Sequence, residues 1–198
     1  MMYSGHHLQE AQDRNGSTRS AIIFELRRKA VWNKQKAEED AKDASFQLLV
    51  DYTPAVKNLP DGPLPPPPPA KRSGSVAYSR NPGVAKGRLE EIGYKCEVDP
   101  NHITFTSRAT KKPYIEAHHL VPVGRQGDFP NANLDVPENI LALCPLCHRK
   151  FHHAVREPQF ELVDKFLQLK KDKLKSRGII ISTEELRRYY AVEVIHEE

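Results

Sequence analysis

Four of the nine histidines stand at spacings that could gather imidazoles around one cation: His118 beside His119, and His148 four residues before His152. If 148–152 is helical, those two rings share a face about 6 Å apart, the separation that joint ligation requires. His153 lies one position further round and should point away. On a strand His118 and His119 face opposite sides, so the adjacent rings should do different work. With His118 as third ligand, a metal would keep open positions for water and substrate, as a catalytic site needs. His119 would then be free as a general base, because an unperturbed imidazole titrates near ~6.5.

A second set of ligands uses every cysteine in the chain. Cys144-Pro145-Leu146-Cys147 is a C-x2-C knuckle, and Cys96 with His102 supplies the two further donors that tetrahedral zinc needs. The expectation is a Cys3His structural zinc. The alternative leaves Cys96 a buried small hydrophobe and His102 a surface residue. Three cysteines cannot form a fully paired disulfide set, and a metal knuckle suits a reducing compartment, so a cytoplasmic location is expected. No run approaches the ~20 apolar residues of a membrane span, and Met1 to Gly16 is polar, so no membrane partner is expected.

These groups need elements to hold them. Asn81-Pro82 reads as an N-cap with proline at the first helical position, opening a helix to about Ile92 that Gly93 ends. Strand candidates follow at Ile103 to Thr106 and Tyr114 to Leu120. Next come a loop with Gly124, Gly127 and Pro130, an apolar run from Asn139 to Leu143, and a helix over Cys147 to Val155. Apolar positions 160, 162, 163, 166, 167, 169 and 174 largely share one face, predicting a helix over Phe160 to Ser176 that Gly178 stops. Ile179 to Ile181 reads as extended, and Ser182-Thr183-Glu184-Glu185 as the capped start of a helix ending near Tyr190. Upstream, Ser20 to Leu26 is strand-like and Arg27 to Val50 is rich in helix formers, too little for a core of its own.

The chain has 198 residues, 38% of them apolar, and 16 prolines that include the run Pro65 to Pro69. That suits one ordinary domain with a linker and excludes a large multidomain machine. Residues 1–58 are expected to be an incomplete N-terminal segment, the remnant of a recognition domain. Residues 59–80 should be a Pro-rich linker, a stiff spacer ending in a hinge, and 81–198 the domain that carries the chemistry. The net charge of +4 lies wholly in residues 71–198. Such a balance is compatible with a polyanionic partner without requiring one.

The run Tyr114-Ile115-Glu116-Ala117-His118-His119-Leu120-Val121-Pro122, followed by Asn139-Ile140-Leu141-Ala142-Leu143-Cys144-Pro145-Leu146-Cys147-His148-Arg149-Lys150-Phe151-His152, resembles the HNH endonuclease motif of the ββα-metal superfamily. The wider pattern, from Arg80-Asn81-Pro82 through the Cys96 to His102 knuckle and on to Tyr190, is similar to McrA-type restriction endonucleases. Those are defence enzymes that cut DNA bearing modified bases, typically methylated cytosine. The resemblance covers about residues 78–192 and implies an α+β fold, a small ββα-metal domain with a structural zinc knuckle and flanking helices. It implies that His118, His148 and His152 hold the catalytic ion, one of Mg²⁺, Mn²⁺, Ni²⁺ or Co²⁺. It also implies that His119 activates water and that Asn139 pins the hairpin through backbone hydrogen bonds, so that His119, Asn139 and His118 form the catalytic set. Cys96, His102, Cys144 and Cys147 would take Zn²⁺, with His102 where some relatives place a fourth cysteine. Double-stranded DNA, methylated DNA included, is the expected partner, and a homodimer stays open. Arg149, Lys150, Arg108, Lys111 and Lys112 are the expected nucleic-acid contacts. Lys170, Lys171, Lys173, Lys175 and Arg177 read instead as a solvated helix face. The competing reading is a catalytically inactive, zinc-stabilised nucleic-acid-binding module, which His119→Ala would leave functional.

Overall fold

The computed structural model describes residues 2–12, 17–27, 42–72 and 75–191. At the amino-terminal end β1 (Met2–Gln12) pairs antiparallel with β2 (Thr18–Arg27). Only β2 is foreshadowed by its residues. β1 contains no valine, isoleucine or threonine, and its strand character comes from pairing rather than from propensity. Of the helix predicted over Arg27 to Val50, residues 28–41 lie outside the described residues, and α1 spans 42–52.

The proline-rich stretch is seated against the core instead of running free as a spacer. Leu59 and Leu64 pack on buried residues, and the Leu64 carbonyl accepts from the Asn133 N–H at 2.9 Å. Arg177 donates to the carbonyls of Pro60 and Gly62. Prolines cannot donate, but the carbonyls of such a run accept, and that is how this segment is fixed. Where a hinge was expected, β3 (Ala70–Arg72) pairs with β4 (Ser75–Ala77).

Helix α2 (Pro82–Glu91) starts and stops as its sequence dictates. Asn81 Oδ1 accepts from the Gly83 N–H at 2.9 Å, and Gly93 ends the helix at φ +68°. The helix is buried from Gly83 to Leu89 because the chain at 54–56 lies directly against it. A Cβ at Gly87 would fall 2.1 Å from the Val56 carbonyl oxygen, so only glycine permits this approach.

Ile103 to Thr106 forms no strand; a single bridge between Thr106 and Pro113 closes the turn there. Its apolar residues Ile103 and Phe105 are 98% and 63% exposed, so no buried face draws the segment into a sheet. The sheet that carries the chemistry is β5 (Glu116–His119) against β6 (Ile140–Leu143), with His118 opposite Leu141 and His119 opposite Ile140. All four residues of β6 are buried, with α2 and α3 (Pro145–His153) packed around it.

The free edge of β6 is satisfied by side chains. Glu97 pairs with Ala142 through its own N–H at 2.8 Å and its Oε2 at 2.7 Å. Arg88 Nε and Lys170 Nζ both donate to the Ile140 carbonyl, at 3.2 and 2.9 Å. Lys170 comes from α4 (Arg156–Ser176), which begins four residues before the predicted start and accommodates Pro158 in its first turn. Lys170 is 5% exposed and Arg177 7%, Arg177 being paired with Glu138 at 2.9 Å. These two therefore leave the solvated face to which the charge pattern assigned them. They are buried because carbonyls and a carboxylate there accept from them.

Gly178 stops the chain after α4 at φ +76°, and Ile179 to Ile181 runs on without strand pairing. Helix α5 (Thr183–Ala191) opens on a capping box in which Ser182 Oγ accepts from Glu185 N–H at 3.1 Å and Glu185 Oε2 accepts from Ser182 N–H at 2.9 Å. The core also reaches upstream of residue 81, because Phe46 and Val50 of α1 are buried with the rest. Beside the β1–β2 and β3–β4 pairs, the described residues thus form helices packed on a small two-stranded antiparallel sheet, β5 with β6. No helix among them is long and apolar enough to cross a membrane.

Candidate active site

Antiparallel β5 and β6 lead into α3, so the end of β5 faces the first two turns of that helix. His118, His148 and His152 meet there, with their ligand atoms all within 4.8 Å of one another. The ring centroids of His118 lie 5.1 Å from His148 and 4.9 Å from His152, and the Nε2 atoms of His148 and His152 are 3.2 Å apart. His153 is exposed beside Arg149.

Two of these rings are oriented from behind. Glu116 Oε2 sits 2.7 Å from His148 Nδ1, which leaves Nε2 turned toward the cluster. Tyr190 OH donates to the Leu120 carbonyl at 2.9 Å, so its oxygen accepts from His118 Nε2–H at 2.9 Å. A hydroxyl has one hydrogen, and this assignment leaves the His118 Nδ1 lone pair free for a cation. Burial, and then the neighbouring His152 and His148, hold the His118 imidazole well below its ordinary range, so it stays neutral, the form that ligates metal. Burial opposes ionisation of Glu116, but the hydrogen bond and charge of His148 prevail and keep its carboxyl below the usual value.

His119 turns the other way from β5, as strand alternation requires. Its Nε2 lies 2.8 Å from Asp135 Oδ1, and the two side chains are only 5% and 4% exposed. A carboxylate that accepts from Nε2–H leaves Nδ1 as the basic nitrogen. Asp135 is itself held by the Asn81 N–H, at the head of α2. Asn139 is fully buried and contacts only main chain: Oδ1 accepts from Val121 N–H at 2.8 Å, and Nδ2 donates to the carbonyls of Val121 at 2.9 Å and Leu134 at 2.8 Å. It ties the loop between β5 and β6 back onto the ends of both strands.

At the amino end of α3 the second cluster assembles Cys96, His102, Cys144 and Cys147, again with all ligand atoms within 4.8 Å of one another. His102 Nδ1 lies 3.5 Å from the Sγ of both Cys144 and Cys147. A tetrahedral zinc with Zn–S ~2.3 Å and Zn–N ~2.0 Å sets an N···S edge of about 3.5 Å, so the donor set fits that ion. Cys96 is 1% exposed while His102 stays near the surface; both belong to one cluster. Burial works against a Cys96 thiolate, yet backbone groups of Cys144, Asp99 and Val98, with the His102 side chain, bring it down to about 7. Cys147 is pushed up by burial and by the other two sulfurs. Three sulfurs so close can ionise together only around a shared cation.

The expected nucleic-acid contacts fall on two exposed surfaces. Arg149 and Lys150 lie on α3 beyond His148, and Arg108, Lys111 and Lys112 on the turn closed by the Thr106–Pro113 bridge. Glu116 and Tyr190 behind the triad, and Asp135 behind His119, were not singled out by sequence reasoning. Glu116 could have been found, since it stands two before His118 and therefore on the same strand face. Asp135 carries a weaker signal, a lone acid between the apolar Leu134 and Val136.

Residues 102–155 match the family model of HNH endonucleases. That stretch contains β5, β6, α3 and each of His118, His119, Asn139, His148 and His152, so an HNH endonuclease domain occupies this part of the chain. Over 77 residues the chain is 32% identical to the type IV methyl-directed restriction enzyme EcoKMcrA of Escherichia coli strain K12, a match that covers 39% of this chain and 25% of that enzyme. The chain thus spans about a quarter of the length of this curated relative. No solved structure matches it significantly.

Proposed function

We propose that this protein is a metal-dependent endonuclease that hydrolyses DNA phosphodiester bonds, a restriction enzyme of McrA type that acts on methylated DNA. The observation that carries the reading is the convergence of three imidazoles within 4.8 Å, next to a fourth that is backed by a buried carboxylate. The relative's methyl-directed activity supports the choice of modified DNA.

A divalent cation held by His118, His148 and His152 would supply charge stabilisation for the phosphate and the leaving oxygen. Glu116 and Tyr190 keep two of those rings aimed inward. His119 accepts the proton of the attacking water at Nδ1, while Asp135 fixes its tautomer and stabilises the imidazolium that forms. Asn139 sets the geometry of the strands and does not meet substrate. Zn²⁺ at Cys96, His102, Cys144 and Cys147 would brace the start of α3. Arg149, Lys150, Arg108, Lys111 and Lys112 engage the phosphate backbone. The nuclease unit takes in residues 81–198 and, by its packing, α1, with 1–27 as a separate N-terminal element.

The test is supercoiled plasmid, methylated or not, incubated with Mg²⁺, Mn²⁺ or EDTA beside the His119→Ala variant. Metal-dependent nicking of methylated plasmid by the wild type alone is the expected result. Equal nicking by His119→Ala would remove the assigned base. Absence of nicking, with DNA binding retained, would favour the binding module.

A further inference from the structure

Helix α1 delivers to the histidine triad a carboxylate that the mechanism above does not use. Asp43 lies in the first turn of α1, and its Oδ2 is 3.7 Å from His152 Nε2, the nitrogen that itself lies 3.2 Å from His148 Nε2. Donors on one divalent ion with bonds of ~2.1 Å stand ~3.0 Å apart in octahedral and ~3.4 Å in tetrahedral geometry, so 3.7 Å is close to a shared coordination sphere. The carboxylate is held from its other side. Arg80 Nη1 meets Asp43 Oδ1 at 2.6 Å, and Arg80 Nη2 donates to the Lys42 carbonyl at 3.1 Å. The guanidinium also rests 4.1 Å over the ring of buried Phe46. The acid is therefore positioned by a packed helix and is not a loose surface group.

We propose that Asp43 is a fourth protein ligand of the divalent cation held by His118, His148 and His152. The proposal rests on the metal-site reading above and adds one hard oxygen to an otherwise all-imidazole set. Imidazoles alone favour Ni²⁺, Co²⁺ and Zn²⁺, whereas a carboxylate shifts relative affinity toward Mn²⁺ and Mg²⁺. Four protein donors still leave two positions of an octahedral ion for phosphate and leaving oxygen. Because the fourth donor comes from α1, metal binding would also be coupled to the docking of this upstream helix.

The rival role is purely architectural, with Asp43 and Arg80 as an ion pair that pins α1. Calorimetric titration of the full chain with Mn²⁺ and with Ni²⁺, without DNA, separates the two. Asp43→Asn is expected to weaken Mn²⁺ binding about 10-fold or more and Ni²⁺ binding much less. Arg80→Gln breaks the same ion pair but keeps the carboxylate, so it should leave the Mn²⁺-to-Ni²⁺ ratio as in wild type. The ratio is read within one sample, so a smaller folded fraction does not move it, and Asp43→Ala gives a second reading. An unchanged ratio in both Asp43 variants, or the same change in Arg80→Gln, overturns the proposal. If the wild type binds neither ion, or His152→Ala binds as the wild type does, the triad itself falls. That outcome is distinct from a failure of Asp43 alone.

Discussion

Replacing Asp135 with asparagine would isolate what holds His119. The carboxylate accepts from His119 Nε2–H at 2.8 Å inside a pocket where the side chains are 5% and 4% exposed. An amide can turn its NH₂ toward Nε2, which moves the ring proton to Nδ1 and removes the lone pair that should take a proton from water. General-base assistance is worth ~10²–10⁴ in rate, so nicking should fall by that factor. Asp135 also accepts the Asn81 N–H at the head of α2, through its other oxygen, and the amide C=O can keep that contact while the NH₂ meets Nε2, so the fold should be little disturbed. The assay is single-turnover nicking of supercoiled plasmid at saturating Mn²⁺, well below the melting temperature, with Mn²⁺ affinity measured in parallel. The expected outcome is a rate loss at near-constant metal affinity. An Asp135→Asn enzyme that nicks at the wild-type rate would refute the assignment. Loss of metal binding in step with rate would reduce Asp135 to a structural role.

Further outcomes follow from the same packing. Gly87→Ala drives a methyl group onto the Val56 carbonyl at 2.1 Å, an overpacking that should lower stability by about 1–3 kcal/mol in a chemical-denaturation series. Cys147→Ser should remove tightly held zinc, measured by elemental analysis after dialysis, and lower the melting temperature, because such a site contributes folding free energy outright. Acid should destabilise the metal-free protein in two stages. His118 is held below its ordinary 6.5, so the unfolded chain binds more protons as pH falls past 6.5 and stability drops. Glu116, whose carboxyl also sits below its usual 4.5, adds a further loss only as pH falls from 4.5 through its folded value; a melting temperature constant as pH falls from 7 to 4.5 would contradict the first stage, and one constant below 4.5 the second. Absorbance titration should find the phenols of Tyr114 and Tyr189 ionising only near pH 12, pushed up by burial and by Glu116 and Asp128 respectively.

Most of the candidate site could be read in the sequence because the residues proposed as ligands are paired by local geometry. His148 and His152 are one helical turn apart, Cys144 and Cys147 share a knuckle, and alternation on β5 separates His118 from His119. The cap at Asn81 and the capping box at Ser182 are equally local. What escaped was set by contacts distant in sequence. Asp135 reaches His119 only because Asn139 folds the loop back, and Tyr190 arrives from the last helix. Ile103 to Thr106 has strand residues but no buried face on which to use them, and β1 has a partner but no β-branched residue. Lys170 and Arg177 look like solvated charges until the open edge of β6 and the carbonyls of the proline segment supply them with acceptors.

Pulsed electron paramagnetic resonance of Mn²⁺ bound to the full chain, counting coupled imidazole nitrogens, tests the triad most directly. Three coupled rings are expected in the wild type and in His119→Ala, and two in His148→Ala. A count that leaves His148→Ala unchanged, or that falls in His119→Ala, would contradict the assignment of three ligands and one free base.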